Sequence, residues 1–199
     1  MKLPPPKREG AISVEQAIWQ RRTVRAFRPQ ALRRDQLSQL LWAAQGVTAF
    51  SGSKRATPSA GALYPMDVYV VLGLDCIARM EGGVYRFEPQ DHALSLVIQR
   101  DTRDAVARAC LSQMWMATAP LHLVITAEYN RITGKYGNRG VRYTMIEAGH
   151  IGQNIFLQAE ALGLKAGIVG AYYDKKLIEI MNLPRTHEPL LIMPIGYAI

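Results

Sequence analysis

Arg21, Arg22, Thr23 and Arg25 fall within five residues; on an extended backbone their guanidinium and hydroxyl groups reach one side. Arginine forks grip phosphate bidentately, and each charged hydrogen bond contributes about 1.5 to 3 kcal/mol. The cluster suits a nucleotide's phosphate, with a solvated basic turn as the plainer alternative. Lys135 and Tyr136 sit between Gly134 and Gly137. A loop with flanking glycines could bring this ammonium and phenol to a substrate for proton transfer, or be an exposed loop with no role. Pro58, Ser59, Ala60 and Gly61 form a turn of little bulk, and Gly167, Ile168, Val169 and Gly170 a glycine-bounded one at a strand end. Both let backbone donors approach a flat ligand, although plain tight turns fit as well. His150 could act as a general base, but with Glu147 and Asn154 one turn away on a helix it reads as a satisfied structural group.

These residues need elements to hold them. Residues 139–174 read as a long helix, a glycine stop, a short strand over 166–169 and a tight turn. At 100° per residue Glu147, His150, Asn154 and Gln158 form a polar stripe opposite Met145, Ala148, Gly149, Gly152, Phe156 and Ala159. Each interior glycine costs about 1 kcal/mol relative to alanine, so Gly149 and Gly152 imply close approach by another element. Residues 1–12 form an extended Pro-rich arm, disordered or laid over a partner subunit, ahead of one domain at 13–199. Ser13 caps a first helix, with Gln16 completing the box, and a second helix covers 34–44 before Gly46. A β-like passage follows the first helix at 23–27, and a Ser/Gly loop spans 47–57. Strands are expected at 67–74, 121–127 and 190–195, a hairpin at 84–87 and 93–98, and helices at 102–113 and from an Asp174 cap to Met181. The strands cluster rather than alternating with helices, which favours an α+β fold: a central sheet flanked by helices.

The 199 residues suffice for one compact core. The longest apolar run is too short to span a bilayer, no h-region marks a signal peptide, and no membrane association is expected; the default location is cytoplasmic. Cys76 and Cys110 are far apart and lack ligand spacing, so neither a disulfide framework nor a metal site is expected. The net charge of +8 is concentrated in residues 1–34, with nine bases against two acids, which favours an anionic ligand there. Nucleic-acid motifs are missing and no nucleic-acid partner is expected. GxGxxG and P-loop patterns are missing too.

Together these segments resemble the FMN-dependent nitroreductase family, in particular its branch of thiazoline/oxazoline dehydrogenases of the streptolysin and microcin type. The likeness runs from about Ser13 to Tyr197. Arg21-Arg22-Thr23-Val24-Arg25-Ala26-Phe27 is similar to the opening FMN signature, with Thr23 replacing the usual serine. Thr57-Pro58-Ser59-Ala60-Gly61-Ala62-Leu63-Tyr64-Pro65 resembles the second motif, which in the family reaches the isoalloxazine ring from the partner subunit. Gln113 resembles the family's Asn/Gln contact to flavin, and Gly167 to Gly170 the turn that donates toward N5. Glu147 to Asn154 resembles the long-helix motif at a two-fold interface, and Lys135-Tyr136 the catalytic pair of the peptide-ring dehydrogenases.

The resemblance thus implies a nitroreductase-like fold with a mainly antiparallel sheet, and a homodimer with shared FMN sites and a long central helix at its interface. It also implies ping-pong hydride transfer through flavin N5, from NAD(P)H or an organic donor to an electron-poor acceptor, with Arg21 or Arg22 supplying a cation near N1 and O2. The substrate would be a small molecule or a peptide. Azoline dehydrogenation in a peptide-modification pathway and non-catalytic flavin binding are the alternatives. One departure concerns the C-terminal Lys/Arg pair many members carry; here Arg21, Arg25 and Arg142 would hold the phosphate without it.

Overall fold

A computed structural model describes residues 1–49 and 52–199; Phe50 and Ser51, inside the expected loop at 47–57, lie outside the described residues. Six strands, β1 (Met66–Leu72), β2 (Gly83–Glu88), β3 (Ala93–Ile98), β4 (Leu121–Ala127), β5 (Lys165–Ala166) and β6 (Glu188–Gly196), form one sheet in the order β3-β2-β1-β4-β6-β5. Every pairing is antiparallel. The six α-helices are α1 (Val14–Gln20), α2 (Arg34–Gln45), α3 (Arg103–Ala109), α4 (Asn130–Tyr136), α5 (Arg139–Ala161) and α6 (Asp174–Met181).

Strand alternation sorts the central strands between two layers. Val68, Val70, Leu72, Leu121, Leu123 and Ile125 face a core shared with Leu37, Leu41, Ile151 and Ile155 of α2 and α5. Tyr69, Val71 and Val124 face the other core, with Val106 of α3 and Leu177 and Met181 of α6. Both faces of β1 and β4 are buried, which explains their near-continuous apolar sequence. Along α5, Ile151, Ile155 and Phe156 are buried, each contributing about 1.5 to 3 kcal/mol, enough to outweigh about 1 kcal/mol per interior glycine.

Ser13 caps α1 as expected, its Oγ accepting from the Gln16 amide at 3.1 Å. Other expectations need correction. The helix expected over 102–113 stops at Ala109, because Leu111 and Ser112 adopt left-handed φ values of 54° and 57°. Beyond Ala166 the strand expected over 166–169 keeps only a bridge from Val169 to Ile192, and Tyr173 rather than Asp174 occupies the cap of α6. The N-terminal arm lies over its own subunit: Lys2 bridges Ala93, the Lys7 amide donates to Gln39 Oε1 at 2.8 Å, and Ser38 Oγ donates to the Pro4 carbonyl at 2.5 Å.

Candidate functional site

Two groups of the candidate residues assemble on this fold. In the first, Thr23 forms a parallel bridge to Ala166 and the Val24 amide donates to the Ala166 carbonyl at 3.0 Å, fixing the arginine passage against β5. Gly167 seals that junction, since a β-carbon there would lie 2.8 Å from both the Trp115 ring and the Val24 carbonyl oxygen. Trp115 stands two residues after Gln113, on the 3-10 turn Met114–Thr118. Its ring stacks on Phe27 at 6.3 Å and has the Arg25 guanidinium 6.0 Å from its centroid. Arg21 lies over the Phe156 ring at 5.2 Å. Arg21, Thr23, Arg25, Gln113 and Gly167 are thereby gathered at one end of the sheet.

Arg22 behaves differently from its neighbours. Its Nη1 donates to the carbonyls of Trp19 and Arg21, both at 2.8 Å, so it closes the C-terminus of α1 rather than reaching outward. Arg142, expected to help hold the phosphate, is far from this group: fourteen residues along α5 separate it from Phe156, about 21 Å.

Two features of this end fit an anionic, flat ligand. No carboxylate among the described residues pairs with Arg21, Arg22 or Arg25. The amides of Gly167 and Val169 donate across the sheet to Pro194 and Ile192, both at 2.8 Å. The intervening amides of Ile168 and Gly170 have no partner among the described residues, and in an extended segment they point the opposite way. A β-carbon on Gly170 would meet nothing within 4 Å, so the approach is open.

The second group surrounds the Pro58 turn. Lys135 and Tyr136 close helix α4 rather than occupying a loop, with Gly134 inside that helix and Gly137, at φ 54°, ending it. Helical geometry presents them to the turn: a β-carbon on Gly61 would lie 2.7 Å from the Tyr136 hydroxyl and 3.2 Å from Lys135 Nζ. Tyr136 meets Tyr143 of α5 edge to face at 5.2 Å. The turn itself takes left-handed φ values at Gly61 (62°), Ala62 (54°) and Tyr64 (46°), unfavourable for the two non-glycine residues.

Side chains hold that turn in place. The Tyr64 amide donates to Ser59 Oγ at 2.9 Å, and Ser59 is hydrogen-bonded to Glu147 of α5. Gln45 Nε2 donates to Glu147 Oε1 at 3.2 Å, Arg55 Nη1 to Gln45 Oε1 at 3.0 Å, and the Arg55 guanidinium lies over the Tyr64 ring at 4.3 Å. Asn154 Nδ2 donates to Thr57 Oγ1 at 3.1 Å. Burial raises the Glu147 carboxyl above its usual pKa, against the bonds from Ser59 and Gln45. The polar stripe of α5 therefore faces inward toward α2 and this turn. His150, by contrast, is exposed and bonds to neither Glu147 nor Asn154, which are engaged elsewhere. Sequence reading missed Gln45 and Arg55, and named Tyr64 only as part of the second motif, because their roles depend on contacts across the fold.

Within one subunit the two groups do not meet through α5. Glu147 and Phe156 are nine residues apart, about 13 Å along the axis and on opposite faces at 100° per residue. Beside the second face a groove of about 310 Å³ is lined by Met145, Gly149, Phe156, Ile168 and Leu191 among others. Among the described residues outside its own helix turn nothing approaches a β-carbon on Gly149 within 4 Å, and the nearest atom to one on Gly152 is at 3.4 Å, so the close approach expected at these glycines is not made by those residues.

A separate network gathers the buried Asp67 and His187 with the half-buried Glu128, their ligand-type atoms within 4.8 Å of one another. Arg86 reaches Asp67 at 2.9 Å, and Arg131 reaches both Asp67 and Glu128 at 2.7 Å. Two guanidinium groups thus already balance the two carboxylates. Among the described residues no helix is long and apolar enough to cross a membrane.

The antiparallel sheet, long central helix and glycine-bounded turn define an α+β fold. The chain belongs to the nitroreductase family, whose match spans residues 18–197. It is 40% identical over 188 residues to a provisionally named nitroreductase of Methanocaldococcus jannaschii, covering 94% of this chain and 92% of that protein. It is also 31% identical over 159 residues to the microcin-processing protein McbC of Escherichia coli, covering 75% of this chain but 58% of McbC. The crystal structure of a provisionally named nitroreductase from Ralstonia eutropha superposes with a TM-score of 0.84 at 31% identity, over 100% of this chain and 89% of that one. The branch shared with peptide-processing relatives agrees with the resemblance read from the motifs.

Proposed function

We propose that this protein is an FMN-dependent oxidoreductase working as a homodimer with shared sites. When bound, FMN would supply two-electron hydride chemistry at N5, accepting from NAD(P)H or an organic donor and giving to an electron-poor acceptor in separate half-reactions. The observation that carries the reading is the combination of Arg21 and Arg25, which pair with no carboxylate among the described residues, with the amides of Ile168 and Gly170, which have no partner there. The arginines would hold the phosphate; the amides would donate to the ring edge, preorganised by the Gly167 and Val169 bonds to β6. Gln113 and Thr23 would complete the polar contacts. Of the two cations expected near the N1 and O2 edge, Arg22 is turned onto α1 and Arg21 is assigned here to the phosphate.

The separation of the two groups across α5 supports a second copy of the chain as the source of the Pro58 turn in each site. Purified protein should show a flavin absorbance band that bleaches with NADH or NADPH and returns with an acceptor. Changing Arg21 and Arg25 to Ala should weaken FMN at least tenfold while leaving riboflavin affinity within about twofold. Colourless protein that takes up no FMN would overturn the reading.

A second reading, azoline dehydrogenation, is favoured by the seating of Lys135 and Tyr136 against Gly61 and by the similarity to McbC. In it Lys135 and Tyr136 manage the proton beside the substrate's ring. Ala at either position should then abolish azoline oxidation with FMN still bound; unchanged turnover would sink it.

A further inference from the structure

Between the half-buried Glu128 and the buried Glu147 the chain carries four bases, Arg131, Lys135, Arg139 and Arg142, and no acid. Arg131 is spent on Asp67 and Glu128. The other three are exposed and pair with no carboxylate among the described residues. Arg139 and Arg142 stand in the first turns of α5, where no acid is found. The helix field there disfavours cations, and two like charges three residues apart repel. Local stability therefore does not account for them.

Their placement follows the groove beside the catalytic candidates. At 100° per residue Arg139, Arg142, Tyr143, Ile146 and His150 share one face of α5, within about 100° of arc. Tyr143, Ile146 and His150 line a recess of about 250 Å³ whose opposite wall is Pro58, Ser59 and Ala60. Tyr143 meets Tyr136, and Tyr136 meets Gly61. The recess thus presents Tyr143, Ile146 and the Pro58 turn beside the Glu147 carboxyl, which is engaged by Gln45, with Lys135, Arg139 and Arg142 at the end where α4 turns into α5.

We infer that this corner is an anion subsite: Arg139 and Arg142 hold the carboxylate, sulfonate or phosphate of a flat redox substrate whose apolar body lies along Tyr143 and Ile146. The inference rests on the oxidoreductase reading of the shared site and adds the substrate class. The anion can belong to the acceptor or to a dinucleotide donor, and the two half-reactions separate these sources.

The test uses FMN-loaded dimer and the double variants R139Q/R142Q and R139K/R142K. In the oxidative half, the apparent KM of a sulfonated naphthoquinone is divided by that of the neutral naphthoquinone. In the reductive half, the KM of NADPH is divided by that of 1-benzyl-1,4-dihydronicotinamide, which carries no phosphate. One ratio should rise about tenfold in R139Q/R142Q and return toward wild type in R139K/R142K. A rise in the first assigns the anion to the acceptor, a rise in the second to the donor. Both ratios within twofold of wild type would overturn the subsite. Equilibrium dialysis of the sulfonated naphthoquinone, with no donor present, reads the subsite without turnover. An enzyme that binds it through Arg139 and Arg142 yet transfers no electrons would refute the oxidoreductase reading and keep the subsite, whereas equal binding by wild type and R139Q/R142Q of both the sulfonated naphthoquinone and, in a parallel dialysis, NADP+ would refute the subsite alone.

Discussion

Tyr136 and Gly61 are fitted to each other: the space a β-carbon on Gly61 would need lies 2.7 Å from the Tyr136 hydroxyl oxygen. The glycine also holds φ at 62°, where a side chain is strained. Gly61→Ala should therefore displace Tyr136 and cost about 1 kcal/mol or more of stability. We expect turnover to fall at least tenfold with flavin still bound, measured by flavin absorbance and steady-state rates on the same preparation. Wild-type turnover in this variant would show that the contact has no catalytic importance.

Glu147 joins the long helix to the same turn through Ser59 and Gln45. Glu147→Ala strands both partners and should cost about 1 to 3 kcal/mol, whereas Glu147→Gln keeps acceptor and shape. Burial raises the folded carboxyl above 4.5, so its contribution is fullest below that value and is lost as pH rises through the raised value. Urea unfolding of wild type and Glu147→Gln from pH 4.5 to 8 should show the Gln variant gaining relative stability with rising pH. A constant difference would contradict the assignment.

His122 lies on β4, wholly buried, with Nε2 donating to the Met116 carbonyl at 2.9 Å and Nδ1 unpartnered. Burial holds its pKa down at about 4 against an ordinary 6.5. A depressed folded value means that the stability it supports is present above pH 6.5 and is lost as pH falls toward 4, by roughly 3 kcal/mol across the gap. The unfolding midpoint should drop over this window, and less steeply in His122→Gln; parallel pH profiles would remove His122 as the cause.

Gly149 provides a test of the second copy. Because, apart from its own helix turn, no atom of the described residues lies within 4 Å of a β-carbon there, Gly149→Leu should leave the subunit's fold and far-ultraviolet circular dichroism unchanged. If the partner's helix packs on this face, the variant should sediment as monomer and lose FMN affinity together with dimerisation. Sedimentation as an unaltered dimer would place the interface elsewhere.

Much of the fold was legible because its signals are local. Ser13 and Gln16 specify the cap of α1 within four residues, and the spacing of Ala148, Gly152, Phe156 and Ala159 marks part of the buried surface of α5. The apolar runs of β1 and β4 identify strands buried on both sides. The residue types of the candidate site were also legible, as motifs. Their partners were not, because Glu147 meets Gln45 across 102 residues and Asn154 meets Thr57 across 97.

The sequence by itself determined most of the segments that become helix or strand, though not α4, and which side chains are available for phosphate binding and proton transfer, since capping, periodicity and residue chemistry act over a few positions. Only the tertiary structure decided that Arg22 turns back onto α1, that Lys135 and Tyr136 sit on a helix against Gly61, and that the Arg21 and Pro58 groups flank opposite faces of α5. Those outcomes depend on competition among distant groups for the same hydrogen-bond partners and the same space, which is resolved when the core closes around α5.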